Sequence, residues 1–244
     1  LALIALQAAR LEQLTAAQHV FLPEPADVAD ARFSVFYRPL QEAGGDFYDV
    51  IRVGAGVFDC FVADVSGHNV GTALATAGLK ALLRQNCGLT ESPVEALRTT
   101  NRVIRAILAD GQFVTLVHLR LNRAARRLTL VTAGHPPAIL LPRDGEPRVL
   151  EAGGDVLGAF EDVTFDVCEV AVAPGDRVFL FSDGMVEIGG SRVATAHASG
   201  LARLAGLCAV HRDLPLDGMV GAIPAALFRD VSPEDDLVLL GVEV

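Results

Sequence analysis

Four short segments place an aspartate where an apolar run gives way to a turn: Gly44-Gly45-Asp46, Asp64-Val65-Ser66-Gly67-His68, Ser182-Asp183-Gly184 and Glu234-Asp235-Asp236. Strand ends are where a rigid sheet can hold side chains toward one cleft. A glycine beside the acid lets the backbone bend and lets a carbonyl or water approach. Asp64 and Asp183 each follow strongly apolar runs, 59–63 and 178–181. A buried strand that runs straight into a carboxylate is costly unless the charge is paired or metal-bound. The chain offers one lysine, Lys80, and scattered arginines as partners. Divalent metal is the economical answer, and oxygen-only ligands suit Mg²⁺ or Mn²⁺ better than zinc. Several aspartates with few histidines point to two ions and a bridging water as nucleophile. His68, just past Asp64, could serve as a general acid or hydrogen-bond locally in its turn. His135 lies in Ala133-Gly134-His135-Pro136-Pro137, where two prolines stiffen the turn and the imidazole braces a loop.

The elements that must hold these groups can be read from the pattern. Strands are predicted over 33–37, 47–53, 57–65, 113–121, 127–132, 138–141, 165–172, 177–181 and 237–242. Gly54-Ala55-Gly56 joins two of them as a hairpin. A helix runs from Gly71 to about Asn86. Ser92-Pro93-Val94-Glu95 is a capping box that opens a second helix to about Ala109. Helices are also expected over 200–211 and 216–228, with 189–199 as a soft loop. Hairpins interrupted by helix pairs favour an α+β fold with a mainly antiparallel sheet system over alternating βαβ units.

With 244 residues there is room for one large domain or two small ones. No boundary suggests itself after residue 30. The expected division is a linker or regulatory helix over 1–22 and one domain over 23–244. Residues 1–20 place Ile4, Leu11 and Leu14 at heptad-like spacing, until Pro23 and Pro25 stop the helix. Such a helix can pack on its own domain, pair with a second copy, or relay a signal from an upstream domain. The start at Leu1 reads as a cut from a longer chain. The formal charge of −10 argues against a nucleic-acid or anionic-membrane surface. Hydrophobic residues at 51% exclude disorder. No apolar run is long enough to span a bilayer and there is no signal peptide, so the expected location is the cytoplasm. Cys60, Cys87, Cys168 and Cys208 form no C-x-x-C pair and read as small buried hydrophobes.

Taken in order, the motifs resemble one family. They are Tyr37-Arg38-Pro39, the run from Ala43 to Asp49, Ala63-Asp64-Val65-Ser66-Gly67-His68, Phe113-Val114-Thr115, the segment from Ala133 to Pro137, Pro174-Gly175-Asp176, the run from Phe181 to Glu187, and Asp235-Asp236-Leu237. Over residues 20–244 the chain resembles the metal-dependent protein phosphatases (PPM, type 2C-like), in their bacterial SpoIIE/RsbU-type branch. The resemblance implies an α-β-β-α sandwich, two mainly antiparallel sheets flanked by helices. It implies hydrolysis of phosphoserine or phosphothreonine on a protein, with two Mn²⁺ or Mg²⁺ ions and attack by a metal-bridging water.

The site roles also follow from the resemblance. Asp64 would bridge both ions and the Val65 carbonyl would bind the first. Asp46 would complete the first ion's shell, and Asp183 and Asp235 would hold the second. The implied partners are a phosphorylated regulatory protein, an anti-sigma factor antagonist in this branch, and an upstream sensor domain joined by a helix. A homodimer through that helix is a further expectation. Two departures stand out. Asn69 to Thr72 replace the branch's common Gly-Val-Pro-Ala, and Val238 replaces a frequent threonine or serine. No arginine clearly matches the phosphate-binding one of the type 2C relatives, and Arg38 is no more than a candidate. The rival readings are a catalytically silent module of the same fold and another two-metal phosphoesterase.

Overall fold

The computed structural model describes residues 28, 30–40, 45–67, 70–187 and 194–244. The helix expected over 1–22 therefore lies outside the described residues, and so do His68 and Asn69.

Among the described residues, ten strands form two five-stranded sheets and four α-helices cover them. One sheet runs in the order β2 (Asp46–Gly54), β3 (Val57–Val65), β4 (Val114–Asn122), β5 (Arg127–Ala133), β8 (Cys168–Ala171). The other runs β1 (Phe33–Arg38), β10 (Leu237–Glu243), β9 (Arg177–Phe181), β6 (Ala138–Leu141), β7 (Arg148–Leu150). All the named strand pairs are antiparallel. Helices α1 (Val70–Asn86) and α2 (Pro93–Ile104) lie on the first sheet, and α3 (Ala194–Val210) and α4 (Leu216–Leu227) on the second. This is the expected α-β-β-α sandwich.

Three apolar layers result. Phe58, Cys60 and Val62 of β3 meet Val238, Leu240 and Val242 of β10 between the sheets. The alternate residues Phe61, Ala63 and Val65 pack instead under Leu79 and Leu83 of α1 and Leu97 of α2. On the other side Phe179 and Phe181 pack under Leu204 of α3 and Ile223 of α4. A strand with both faces covered must be apolar at nearly every position, which is why β3, β9 and β10 read as continuous runs. Each such Leu, Val or Phe contributes roughly 1.5–3 kcal/mol on burial. The helix face of the first sheet also carries charge. Asp49, fully buried, takes two 2.7 Å hydrogen bonds from Arg84 of α1.

Three local expectations shift. Helix α2 ends at Ile104 rather than near Ala109, and the chain continues as turns whose N–H groups reach back to Val103 and Ile104. The Ser92 hydroxyl caps Glu95 N–H as expected, but the Glu95 carboxylate turns to Arg98. Helix α3 begins at Ala194, inside the segment expected as loop, and the three-residue edge strand β7 was too short to carry a pattern.

Candidate metal centre

Hairpin geometry decides where the aspartates meet. Asp46 opens β2 and Asp64 sits one residue from the end of β3, and the antiparallel register places them directly opposite. Asp183 follows β9 and Asp236 precedes β10, again antiparallel neighbours. All four ends lie at one edge of the sandwich. Asp46, Tyr48 and Val50 alternate with Phe47, Asp49 and Ile51, so Asp46 shares the inter-sheet face of Tyr48.

The loop before β2 is pressed against the end of β3. A Cβ on Gly45 would stand 2.5 Å from the Val65 carbonyl oxygen and 2.6 Å from Asp64 Oδ1. Only glycine allows that approach, and Val65 N–H closes it by donating to the Gly45 carbonyl at 3.2 Å. Across the cleft, a Cβ on Gly184 would meet the Asp236 carbonyl at 2.3 Å.

Ser182 locks the second pair of ends. Its hydroxyl donates to the Asp236 carbonyl at 3.1 Å and accepts from Val238 N–H at 3.0 Å. Asp183 then starts a single 3-10 turn whose carbonyl accepts from Val186 and Glu187. Behind the cleft, His135 spans the two sheets. Its Nδ1 lies 2.9 Å from the Thr115 hydroxyl on β4, and its Nε2 lies 3.1 Å from the Phe181 carbonyl on β9. Thr115 is the cross-strand partner of Asp64, and Phe181 is two residues from Asp183. Burial pushes His135 down to about 3, against the hydrogen bond to Phe181. A neutral ring with Nε2–H donating to Phe181 and Nδ1 accepting from Thr115 satisfies both contacts. The imidazole thus braces the cleft, as its prolines suggested.

Asp46 carries the electrostatics. Burial raises its carboxyl well above the usual range, and the charges of Asp64, Asp236 and Asp183 add to this, while a hydrogen bond with Ser182 works the other way. Its Oδ2 is buried and has no hydrogen-bond partner among the described residues. A carboxylate oxygen hidden among other carboxylates is the kind of donor that a divalent-ion site uses. The residues present fit hard ions held by oxygen.

Among the expected ligands, Asp46, Asp64 and Asp183 come within electrostatic reach of one another, with the Val65 carbonyl beside them. Asp235 is exposed, and its Oδ1 caps Asp236 N–H at 2.8 Å. Asp236 had not been singled out. It is buried, and its Oδ1 accepts from Leu40 N–H at 2.6 Å. Burial raises its carboxyl, and N–H groups of Leu40, Asp46 and Gly45 oppose that shift. Asp236 therefore anchors the Gly45–Asp46 loop. Two adjacent aspartates offered no signal for which would turn inward. Arg38 ends β1 opposite Leu237, exposed at the same edge.

Comparison with known proteins gives the family and the fold. Residues 55–244 match the family described as stage II sporulation protein E (SpoIIE). The chain is 26% identical over 170 residues to phosphoserine phosphatase RsbP of Bacillus subtilis, covering 68% of this chain and 42% of the relative. It is 27% identical over 150 residues to phosphoserine phosphatase RsbU of the same organism, covering 61% and 44%. The chain spans less than half the length of either relative. The SiaA-PP2C domain of Pseudomonas aeruginosa superposes with a TM-score of 0.84 at 23% identity, covering 100% of this chain and 99% of that one. The RsbU and RsbW domains of a Mycobacterium tuberculosis protein superpose at 0.77 and 26% identity, covering 87% and 61%.

Two helix-flanked antiparallel sheets in this strand order are the fold of the PP2C-type domains. Within that class, the chain belongs to the SpoIIE family.

Proposed function

We propose that this chain is the catalytic part of a metal-dependent protein serine/threonine phosphatase that acts on a phosphorylated regulatory protein. The observation that carries the reading is the buried Asp46 Oδ2, without a hydrogen-bond partner among the described residues, amid the charges of Asp64, Asp183 and Asp236. The proposed ions are two Mn²⁺ or Mg²⁺. Asp46, Asp64 and the Val65 carbonyl would hold the first, and Asp64, Asp183 and Asp235 the second. When bound, such ions acidify a water and offset phosphoryl charge. The protein's part is to fix the donors. The Gly45 approach sets Asp46 against Asp64, Ser182 and His135 set Asp183 against both, and Asp236 holds the loop that carries Asp46.

The substrate class follows from the relatives, which carry the names of phosphoserine phosphatases, and from the branch resemblance. An anti-sigma factor antagonist phosphorylated on serine or threonine is the proposed partner. His68 is the proposed proton donor to the leaving serine oxygen. A seryl alkoxide needs that proton and an aryl phosphate hardly does. His68→Ala should therefore slow phosphoprotein hydrolysis more than nitrophenyl phosphate hydrolysis, and equal losses would remove the role.

The decisive experiment is Asp183→Ala assayed for Mn²⁺-dependent phosphatase activity. Turnover should fall at least ~100-fold, the scale of losing a catalytic electrostatic element. Circular dichroism should stay unchanged. Near-normal activity would overturn the ligand assignment. A wild-type chain with no metal-dependent hydrolysis of any phosphoester would point to a silent module instead.

A further inference from the structure

A second group of metal-ligating side chains lies away from the acidic edge, under the α1–α2 pair. On the helix face of the first sheet, β3 presents Asp59 and β4 presents His118, diagonal neighbours because Asp59 opposes Arg120 and Phe61 opposes His118. Cys87, the residue after α1, closes over them, its N–H bonded to the Leu83 carbonyl. One donor atom from each of the three lies within 4.8 Å of the other two. We propose that Asp59, Cys87 and His118 form a Zn²⁺ site, separate from the oxygen-only centre.

His118 supplies the independent observation. The side chain is fully buried, and among the described residues neither ring nitrogen makes a hydrogen bond of normal geometry. Its Nε2 stands 3.3 Å from Asp59 Oδ1, an ionic contact that, against the effect of burial, helps to hold the Asp59 carboxyl down. The ring is held in place by Phe61, centroid to centroid 4.3 Å. A buried imidazole whose Nδ1 makes no hydrogen bond and whose Nε2 has only a long contact costs stability unless something else takes a lone pair. A metal ion is such a partner.

The chemistry selects the ion. Sulfur, nitrogen and one carboxylate oxygen suit borderline Zn²⁺, whereas the acidic edge offers oxygen alone. Three protein ligands leave a fourth position for water. Arg120 grips Asp59 through Nε at 2.6 Å and Nη2 at 2.7 Å, and the Cys87 thiol and His118 also reach this carboxylate, so an ion would displace the thiol proton and sit among these three groups. The same guanidinium reaches the Gly88 and Glu91 carbonyls in the α1–α2 connection. Binding deprotonates Cys87, so one proton leaves to solvent for each ion bound, and affinity rises with pH. The Arg120 charge keeps affinity below that of a four-ligand structural site. Occupation would tie the α1–α2 connection to β3 and β4.

The test uses the whole chain in excess Mg²⁺, which saturates the oxygen centre. Co²⁺, a spectroscopic stand-in for Zn²⁺, should give a thiolate-to-cobalt charge-transfer band that saturates at one equivalent and is displaced by Zn²⁺. Cys87→Ser should abolish the band, and His118→Gln should weaken binding at least tenfold. Asp183→Ala should leave the band unchanged, so that failure here and failure of the phosphatase reading remain distinguishable. A wild-type chain without the band overturns the site. So does a band that survives Cys87→Ser, since it would come from another cysteine, or an unchanged affinity in His118→Gln.

Discussion

At the scale of single residues, Asp46 shows how a functional position departs from what stability alone would select. Its carboxyl is buried, its Oδ2 lacks a partner among the described residues, and three other carboxylates press on it. Asp46→Asn removes the like charge while keeping the shape. In metal-free protein its urea midpoint should equal or exceed that of wild type, while Mn²⁺-dependent turnover falls at least ~10-fold. A clearly lower midpoint would mean that Asp46 is held by favourable contacts, contrary to the crowding argument. Asp49 makes the contrast on the same strand. It is equally buried, but Arg84 satisfies it with two hydrogen bonds, and nothing about it calls for an absent cation.

At the scale of elements, the cleft depends on strand ends from two sheets being held in mutual position. His135 makes that link between β4 and β9. The ring is neutral in the fold, with its pKa pushed down to about 3 by burial, whereas an unfolded histidine takes a proton near 6.5. The unfolded chain then binds the extra proton as pH falls below about 6.5. Stability from this group is full above that pH and is lost progressively down to about 3. At pH 5.5 the loss should be about 1.4 kcal/mol. Urea unfolding at pH 7.5 and 5.5 measures it, and His135→Asn should lose about that much less than wild type between the two. An identical pH dependence in the variant would show that the imidazole is not held neutral. Individual motifs were visible in the sequence, because Gly134-His135-Pro136-Pro137 marks a rigid turn. The partners Thr115 and Phe181 were not, since they lie 20 and 46 residues away and meet only when the sheets pack.

At the scale of the whole molecule, an ion that binds the folded state alone stabilises it by mass action. At a Mn²⁺ concentration about 100 times the dissociation constant, the gain is about 2.7 kcal/mol. For a domain of this size that is roughly 5–10 °C in melting temperature. Among the described residues no helix is long and apolar enough to cross a membrane. Repeating the titration on a chain lacking residues 1–22 tests the proposed regulatory helix. The expected result is a changed apparent Mn²⁺ affinity, turnover or oligomeric state. If all three stay the same, the segment is a passive linker.

What the sequence determined by itself was most of the strands, helices and turns and the acidic character of the strand ends, while the short strand β7, the end of α2 and the start of α3 were not legible in it. Alternation, capping residues and Asp-Gly turns are local, and a strand covered on both faces must be apolar at nearly every position, as Val57–Val65 is apart from Asp59 and Asp64. What only the tertiary structure decided was convergence. Hairpin register set Asp46 opposite Asp64, and packing of one sheet on the other brought Asp183 and Asp236 to them. The same packing chose Asp236 over Asp235 as the buried anchor and closed Cys87 over Asp59 and His118. Those contacts join residues far apart in the chain, and their energies depend on burial, which no local spacing encodes.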